Sequence, residues 1–265
     1  MKRLFMPGCA LSAYSPFLTA KVGEYLKACF ADLAIAQKCC ARPTKLIGQS
    51  DLFCKRIGLL EADIRKCRAK QIIVACPGCL DTLKDIKGVQ VISLWEILCE
   101  IGLPTASLGK AKNSNAAFSI HDSCVTRENH KMHQCVRELI KKLGYTVVQS
   151  ANEGINTLCC GQGGMVNVAN SALSSAAASK CMDGFKTKHI AVYCASCRGT
   201  FLANGGKAWH MLDLIWGDVV MAGNEPPPNI LTSPIKAWKN RLTAKILING
   251  FIPKSIAKKK NIRLE

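Results

Sequence analysis

The sequence predicts an α/β fold of two pseudo-twofold-related modules, each with a short parallel-rich sheet, followed by a basic C-terminal extension. Three observations carry that reading: a five-cysteine pattern occurs twice, short apolar runs end just ahead of the cysteines, and helical patterns fill the gaps between those runs. The first copy runs Cys9, then 29 residues, Cys39-Cys40, then 35 residues, Cys76-Pro-Gly-Cys79. The second runs Cys124, then 34 residues, Cys159-Cys160, then 33 residues, Cys194-Ala-Ser-Cys197. Ten of the 16 cysteines fall in register, so chance is a poor explanation. The repeat continues past them, because VISLWEIL (91–98) aligns with AWHMLDLI (208–215), setting Ser93 opposite His210 and Glu96 opposite Asp213.

The elements follow in order. KRLFM (2–6) and AAFSI (116–120) read as strands that open the two modules. LFCKRIGLLEADIRKCRAK (52–70) and HQCVRELIKKLGY (133–145) carry the helical period. QIIVA (71–75) and HIAVY (189–193) are near-continuous apolar runs, which suits strands covered on both faces of a parallel sheet. KAKNSNAA (110–117) is the polar linker and NEPPPN (224–229) closes the second module, giving expected units of 1–110, 111–223 and 224–265. The cysteines then lie after strand carboxyl ends and before helix N-termini. Open α/β sheets bind ligands at that edge, and free helix N–H groups there favour a thiolate.

Composition narrows the class. Forty-nine per cent of the 265 residues are hydrophobic, which is globular usage. The many cysteines, paired as CC and CxxC in a long chain, point to a reducing compartment and free thiols rather than a disulfide framework. The apolar run between Arg3 and Pro7 is far short of the roughly 7–15 residues of a secretory signal. No run approaches the ~20 residues of a membrane span. A cytoplasmic location is expected. Of the net charge of +18, nine Lys/Arg sit in 221–265 against Glu225 and Glu265 only. That segment reads as a solvated tail, a docking surface for an acidic partner, or a peripheral contact with an anionic membrane, since Ile235, Trp238, Leu242 and Ile246 recur at helical spacing among the basic residues. No nucleic-acid partner is expected.

The cysteines admit several chemistries. A thioredoxin-type dithiol uses one CxxC and explains four of the ten at most. Structural zinc takes four ligands and gives no reason for adjacent cysteines. A disulfide between neighbours is strained, with Cα atoms only about 3.8 Å apart. The CxxCxxC run of a ferredoxin cubane is absent. An iron–sulfur cluster with more than four thiolate ligands fits better, because adjacent side chains can then reach different irons.

These residues resemble the cysteine-rich CCG family, whose signature is C…CCG…CxxC. That family includes the catalytic B subunit of heterodisulfide reductase and the iron–sulfur subunits of lactate and glycolate oxidation. The resemblance spans residues 1 to about 217; the second copy is complete, and the first has Ala41 where the family has glycine. It implies two non-cubane [4Fe–4S] clusters, one held by Cys9, Cys39, Cys40, Cys76 and Cys79, the other by Cys124, Cys159, Cys160, Cys194 and Cys197, with zinc an alternative at the first site. It implies an oxidoreductase subunit of an anaerobic complex that reduces a disulfide. The alternatives are an electron-transfer subunit of a lactate- or glycolate-type dehydrogenase and a non-catalytic zinc or iron–sulfur module. With no flavin or nicotinamide fingerprint, electrons are expected from or to a flavoprotein or ferredoxin-like subunit.

The remaining residues are read with both roles open. His121 and Asp122 precede Cys124, as proton donors to a departing thiolate, as hydrogen-bonding neighbours of a cluster, or as plain loop. Arg42 and Arg127 follow cluster cysteines and either bind an anionic small-molecule substrate or balance charge. His210 is expected to be structural. Cys29, Cys54, Cys67, Cys99, Cys135 and Cys181 are expected to be small buried hydrophobes on helices. GQGG (161–164) lacks phosphate-loop spacing and reads as tight turns against the cluster.

Overall fold

A computed structural model describes residues 1–248. In chain order the regular elements are β1 (Arg3–Met6), α1 (Cys9–Tyr14), α2 (Pro16–Cys29), β2 (Leu33–Ile35), α3 (Arg42–Leu46), α4 (Ser50–Lys66), β3 (Gln71–Val74), α5 (Pro77–Leu83), β4 (Gln90–Ser93) and α6 (Leu94–Ile101). The second half gives β5 (Ala117–His121), α7 (His130–Leu143), β6 (Thr146–Val147), α8 (Val166–Ala169), α9 (Ser171–Asp183), β7 (His189–Val192), α10 (Ala195–Ala203), β8 (Lys207–His210) and α11 (Met211–Trp216). Helix α12 (Pro234–Ile248) follows an extended proline segment.

The two halves form separate four-stranded sheets of the same topology, β2-β1-β3-β4 and β6-β5-β7-β8, with every pairing parallel. The α/β architecture with two related modules is therefore present. The registers repeat as well. Gln71 sits opposite Gln90 in the first sheet, and His189 sits opposite Lys207 in the second. The edge strands β2 and β6 were not foreseen from sequence. At three and two residues they are too short for any apolar alternation to register.

Each sheet is covered on both faces, so β1, β3 and β7 are apolar on both, whereas β5 is apolar on one and buries Ser119 and His121 on the other. Phe5 and Ile73 of the first sheet and Phe118, Ile120 and Ala191 of the second share one core with Trp95, Val136, Leu139 and Trp209. Leu4, Met6, Ile72 and Val74 face the other way, against Leu60 and Ile64 of α4 and Leu83 of α5. Ile190 and Val192 face Phe201 of α10 and Cys181 of α9. Burying a side chain of this size contributes about 1.5–3 kcal/mol, so the shared core holds the two halves together.

Local signals place the helices. Ser15 caps α2 by accepting from the Leu18 N–H, with Pro16 in the first turn. Asn129 caps α7 through the Met132 N–H, and Gly144 ends it in the left-handed region at φ 99°. The aligned residues Ser93 and His210 both cap helices, Ser93 accepting from the Trp95 N–H and His210 from the Leu212 N–H.

The linker is docked on the second half. Ser107 donates to the Ile215 carbonyl (2.8 Å), Lys110 to the Gly217 carbonyl (2.6 Å) and Ser114 to the Val220 carbonyl (2.5 Å). Helix α12 returns to the first half, where Asn240 donates to the Ala13 carbonyl at 2.8 Å. Among the described residues, no helix is long and apolar enough to cross a membrane. The tail from 249 to 265 lies outside the described residues.

Candidate functional site

Both quintets of cysteines gather at the carboxyl ends of their sheets. In an order β2-β1-β3-β4 the strand order reverses between β1 and β3, whose following segments leave to opposite sides of the parallel sheet, and ligands of such sheets bind at that switch point. Cys9 follows β1 and begins α1; Cys76 follows β3 and occupies the cap position of α5. Cys124 and Cys194 repeat this after β5 and β7, with Cys194 capping α10.

In the first site the thiols touch. Cys79 Sγ lies 3.2 Å from Cys40 Sγ. Donating to Cys40 pushes the Cys79 thiol well up, and the same bonds draw Cys40 and Cys76 down. Cys9 is held protonated by donating to Cys39, while that bond lowers Cys39 to about 6. The second site shows the same alternation. Cys124 and Cys160 are raised and Cys159 is lowered by the bonds among them. Cys197 is raised, and Cys194 is drawn down to about 7 by the bond it receives from Cys197. The Gly163 N–H adds a bond to Cys159 Sγ at 3.3 Å. Thiols this close share protons, so that each lowered sulfur is held by the S–H of a raised neighbour. That donor set, all sulfur and backed by backbone N–H groups, fits an iron–sulfur cluster.

The sites face one another. A cavity of ≈ 170 Å³ is lined by Cys9, Cys40, Cys76 and Cys79 from one quintet and by Cys124, Cys160, Cys194 and Cys197 from the other. Negative charge on Cys194 opposes ionisation of Cys76, so the two caps lie within electrostatic reach. Arg42 lines the same cavity, pairs with Asp81, and favours the Cys194 thiolate. It passes over Gly78, where a Cβ would stand 2.9 Å from Arg42 Cδ.

The other sequence candidates separate. His121 reaches the second site: an imidazole nitrogen lies within 4.8 Å of both Cys160 and Cys197 sulfurs. Its Nδ1 faces Cys181 Sγ at 3.7 Å, its Nε2 has no protein partner among the described residues, and burial lowers it to about 4, so the ring is neutral. Asp122 points elsewhere. Its carboxylate takes both terminal nitrogens of Arg137 (2.7 and 3.2 Å) and the Gly154 N–H (2.7 Å). Burial works against its charge, and these partners outweigh burial. Arg127 donates twice to the Thr157 carbonyl, tying the Cys124 turn to the stretch of chain entering Cys159. His210 is buried between Tyr14 and Trp95, away from the cavity lining.

Of the cysteines outside the repeats, all lie on or at the ends of helices, but Cys29 and Cys54 are exposed. The expectation of burial fails there because Cys29 ends α2 and Cys54 sits on the outer side of α4, whose buried residues are Leu60 and Ile64. Cys135 and Cys181 are buried as expected, whereas Cys67 and Cys99 are only half-buried.

Residues that the repeat did not flag hold the halves in place. Tyr193 accepts the Ser123 N–H at 2.8 Å and bonds Thr126, fixing the Cys124 turn. Arg198, 1% exposed, lies over the Tyr14 ring (4.3 Å) beside Asp213 (3.7 Å), and Tyr14 donates to Asp213 at 2.6 Å. The signal was divergence: Tyr193 and Arg198 flank the second CxxC where the first copy has Ala75 and Leu80.

Comparison with known proteins bears on the same residues. The family model of the cysteine-rich domain, CCG, matches residues 4–84 and 118–202, once per sheet. A relative, the EtfAB:quinone oxidoreductase of Syntrophomonas wolfei subsp. wolfei, is 25% identical over 173 residues, which is 61% of this chain and 24% of that protein. The chain thus spans about a quarter of the length of that relative. Among solved structures, glutamate racemase isoform RacE1 from Bacillus anthracis is 10% identical, covers 85% of each chain and has a TM-score of 0.35, a likeness too loose to bear on function.

Proposed function

The chain belongs to the cysteine-rich CCG domain family, and from that premise we propose that it is an iron–sulfur oxidoreductase subunit that reduces a disulfide held between its two cysteine sites. One observation carries the reading: a single small cavity is walled by four cysteines of each quintet. Cys9, Cys39, Cys40, Cys76 and Cys79 would hold one cluster, and Cys124, Cys159, Cys160, Cys194 and Cys197 the other. Bound there, the clusters supply single electrons. The overall change adds two electrons and two protons to R–S–S–R′ and gives R–SH and R′–SH.

The chain's own residues position and hydrogen-bond, and the two protons come from solvent. The shared core fixes the spacing of the walls, and Arg42 places a positive charge on a substrate that bears an acidic group. His121, neutral, presents a ring N–H as a hydrogen-bond donor beside Cys160 and Cys197. The Cys181 thiol, raised to about 12 by burial, stays protonated against Nδ1 and leaves the second ring nitrogen to carry the N–H. Asp122 acts through Arg137 to hold the loop before Cys159 rather than on substrate. The electrons come from a partner redox subunit, and the units 1–110, 111–223 and 224–265 divide the labour as first site, second site and extension.

A second reading rests on the likeness to the EtfAB:quinone oxidoreductase: the chain passes electrons between a flavoprotein and a further acceptor, and no disulfide enters. Anaerobic purification with iron, zinc and sulfide assay, followed by disulfide-dependent oxidation of a reduced viologen, separates the readings. The first expects about eight irons per chain and turnover. Iron without turnover on any disulfide supports the second, and absence of iron overturns both. Cys40→Ser and Cys160→Ser should each remove about half of the iron and lower disulfide turnover at least about a hundredfold. Full turnover in Cys40→Ser would assign the chemistry to the second site alone.

A further inference from the structure

Helix α12 is apolar on two opposite faces. Its inner face, with Ala237 and Ala244 buried, packs on α1 and α2 and is pinned by the Asn240 bond to Ala13 and by Arg241 donating to the Cys9 carbonyl at 3.1 Å. Its outer face carries Ile235, Trp238 and Leu242, which are 82%, 66% and 46% exposed. At about 100° per residue these three fall on one stripe. Lys236 and Lys239 border it on one side and Lys245 on the other, all exposed. No Asp or Glu occurs between Glu225 and Glu265, and residues 249–265 add Lys254, Lys258, Lys259, Lys260 and Arg263.

We propose that α12 seats the protein on an anionic lipid surface, with Ile235, Trp238 and Leu242 entering the headgroup–acyl boundary and the flanking lysines meeting lipid phosphates. The residue types select lipid over protein. Interfaces between proteins are depleted in lysine, whereas an interfacial helix combines an exposed aromatic–aliphatic stripe with lysine flanks. The inner face is already occupied, so the helix is presented rigidly and loses little freedom on binding. The same helix grips α1, which begins at Cys9, so a lipid surface would lie beside the first cysteine site. This inference does not depend on which redox reading holds.

The test uses the full chain with vesicles of phosphatidylglycerol and phosphatidylcholine, compared with phosphatidylcholine alone. Sedimentation with the anionic vesicles only, weakened by about 0.5 M salt, is expected. The emission lost in Trp238→Phe should shift to the blue when vesicles are added. Ile235→Ser with Leu242→Ser should weaken binding about tenfold or more while iron content stays unchanged. These side chains face outward, so the fold is not at risk. No sedimentation at low salt overturns the proposal, as does binding that the stripe substitutions leave intact. Protection of Trp238 from an aqueous quencher in the assembled complex, without a response to vesicles, would assign the stripe to a protein partner instead.

Discussion

The two adjacent-cysteine pairs occupy the same place in the repeat and are built differently. After Cys39-Cys40 the chain enters α3 at once, with Ala41 in the left-handed region at φ 59° and its methyl buried. After Cys159-Cys160 it passes through Gly161 at φ 90° and then the Gly163–Met165 turn before α8 begins. A Cβ on Gly161 would collide with the Ser174 carbonyl oxygen of α9, and one on Gly163 would stand 2.8 Å from Cys159 Sγ. Positive φ is shared by the two pairs; what differs is what presses against it. The glycine of the family motif is thus required in the second module by a neighbouring helix, and in the first only by its own dihedral preference. The same asymmetry appears in exposure, because Cys39 lies exposed while Cys159 is half-covered.

The largest effect expected from this contrast is at Gly161. In Gly161→Ala the methyl group adds left-handed strain of about 1–2 kcal/mol and overpacking of about 1–3 kcal/mol, together about 3 kcal/mol. For a chain of this size that lowers Tm by roughly 6–12 °C. Calorimetry checks the stability, and iron content checks the site, where the second cluster should be lost first. A variant as stable as the parent would show that α9 yields and that the packing contrast carries no weight.

A second contrast is chemical. All five histidines fall between residues 121 and 210, so the acid sensitivity that comes from histidine belongs to the second half. His210 is buried, and that burial, with the positive Arg198 nearby, lowers it to about 3. The unfolded chain therefore takes up the proton first, near pH 6.5, and the stability held by the neutral ring is lost as pH falls from there towards 3. At pH 5 the loss is about 2 kcal/mol for this residue alone. His210→Ser installs the residue that the first half uses at the aligned cap, Ser93, which bonds the helix in the same way. Urea unfolding at pH 7 and pH 5 should show the parent losing about 2 kcal/mol more than the variant over that interval. Equal losses would mean that the ring is solvated in the folded state.

How much of this was legible follows from what each feature depends on. The ten cysteines and the four long central strands were legible because a repeat and an apolar run are local patterns; QIIVA and HIAVY lie within a residue of β3 and β7. The equivalence of Ser93 and His210 was legible for the same reason, through the alignment of the two copies. The cavity was not, because it lies between the copies and no stretch of sequence spans it. Neither was the Tyr14–Asp213–Arg198 cluster, whose members are 199 residues apart in the chain at the widest. His121 and Asp122 are neighbours with similar chemistry on paper. Alternation along β5 and the turn after it send one to the cysteines and the other to Arg137, a distinction that only the folded sheet makes.

The smallest effect expected is at Ala41, and it is the sharper probe of the comparison. Ala41→Gly relieves about 1–2 kcal/mol of left-handed strain. It also removes a buried methyl worth about 0.8 kcal/mol and gives the unfolded chain more freedom, worth about 0.5–1 kcal/mol. The contributions nearly cancel, so stability should stay within about 1 kcal/mol of the parent. The Ala41 N–H, which donates to Cys39 Sγ at 3.4 Å, is kept, so metal content of the first site should also be unchanged. A large stabilisation would mean that the buried methyl contributes nothing and that the first module tolerates strain with no compensation. A large loss of stability or of metal would mean that the methyl supports the first site, as α9 supports the second, and the two pairs would then differ in the identity of their support rather than in having one.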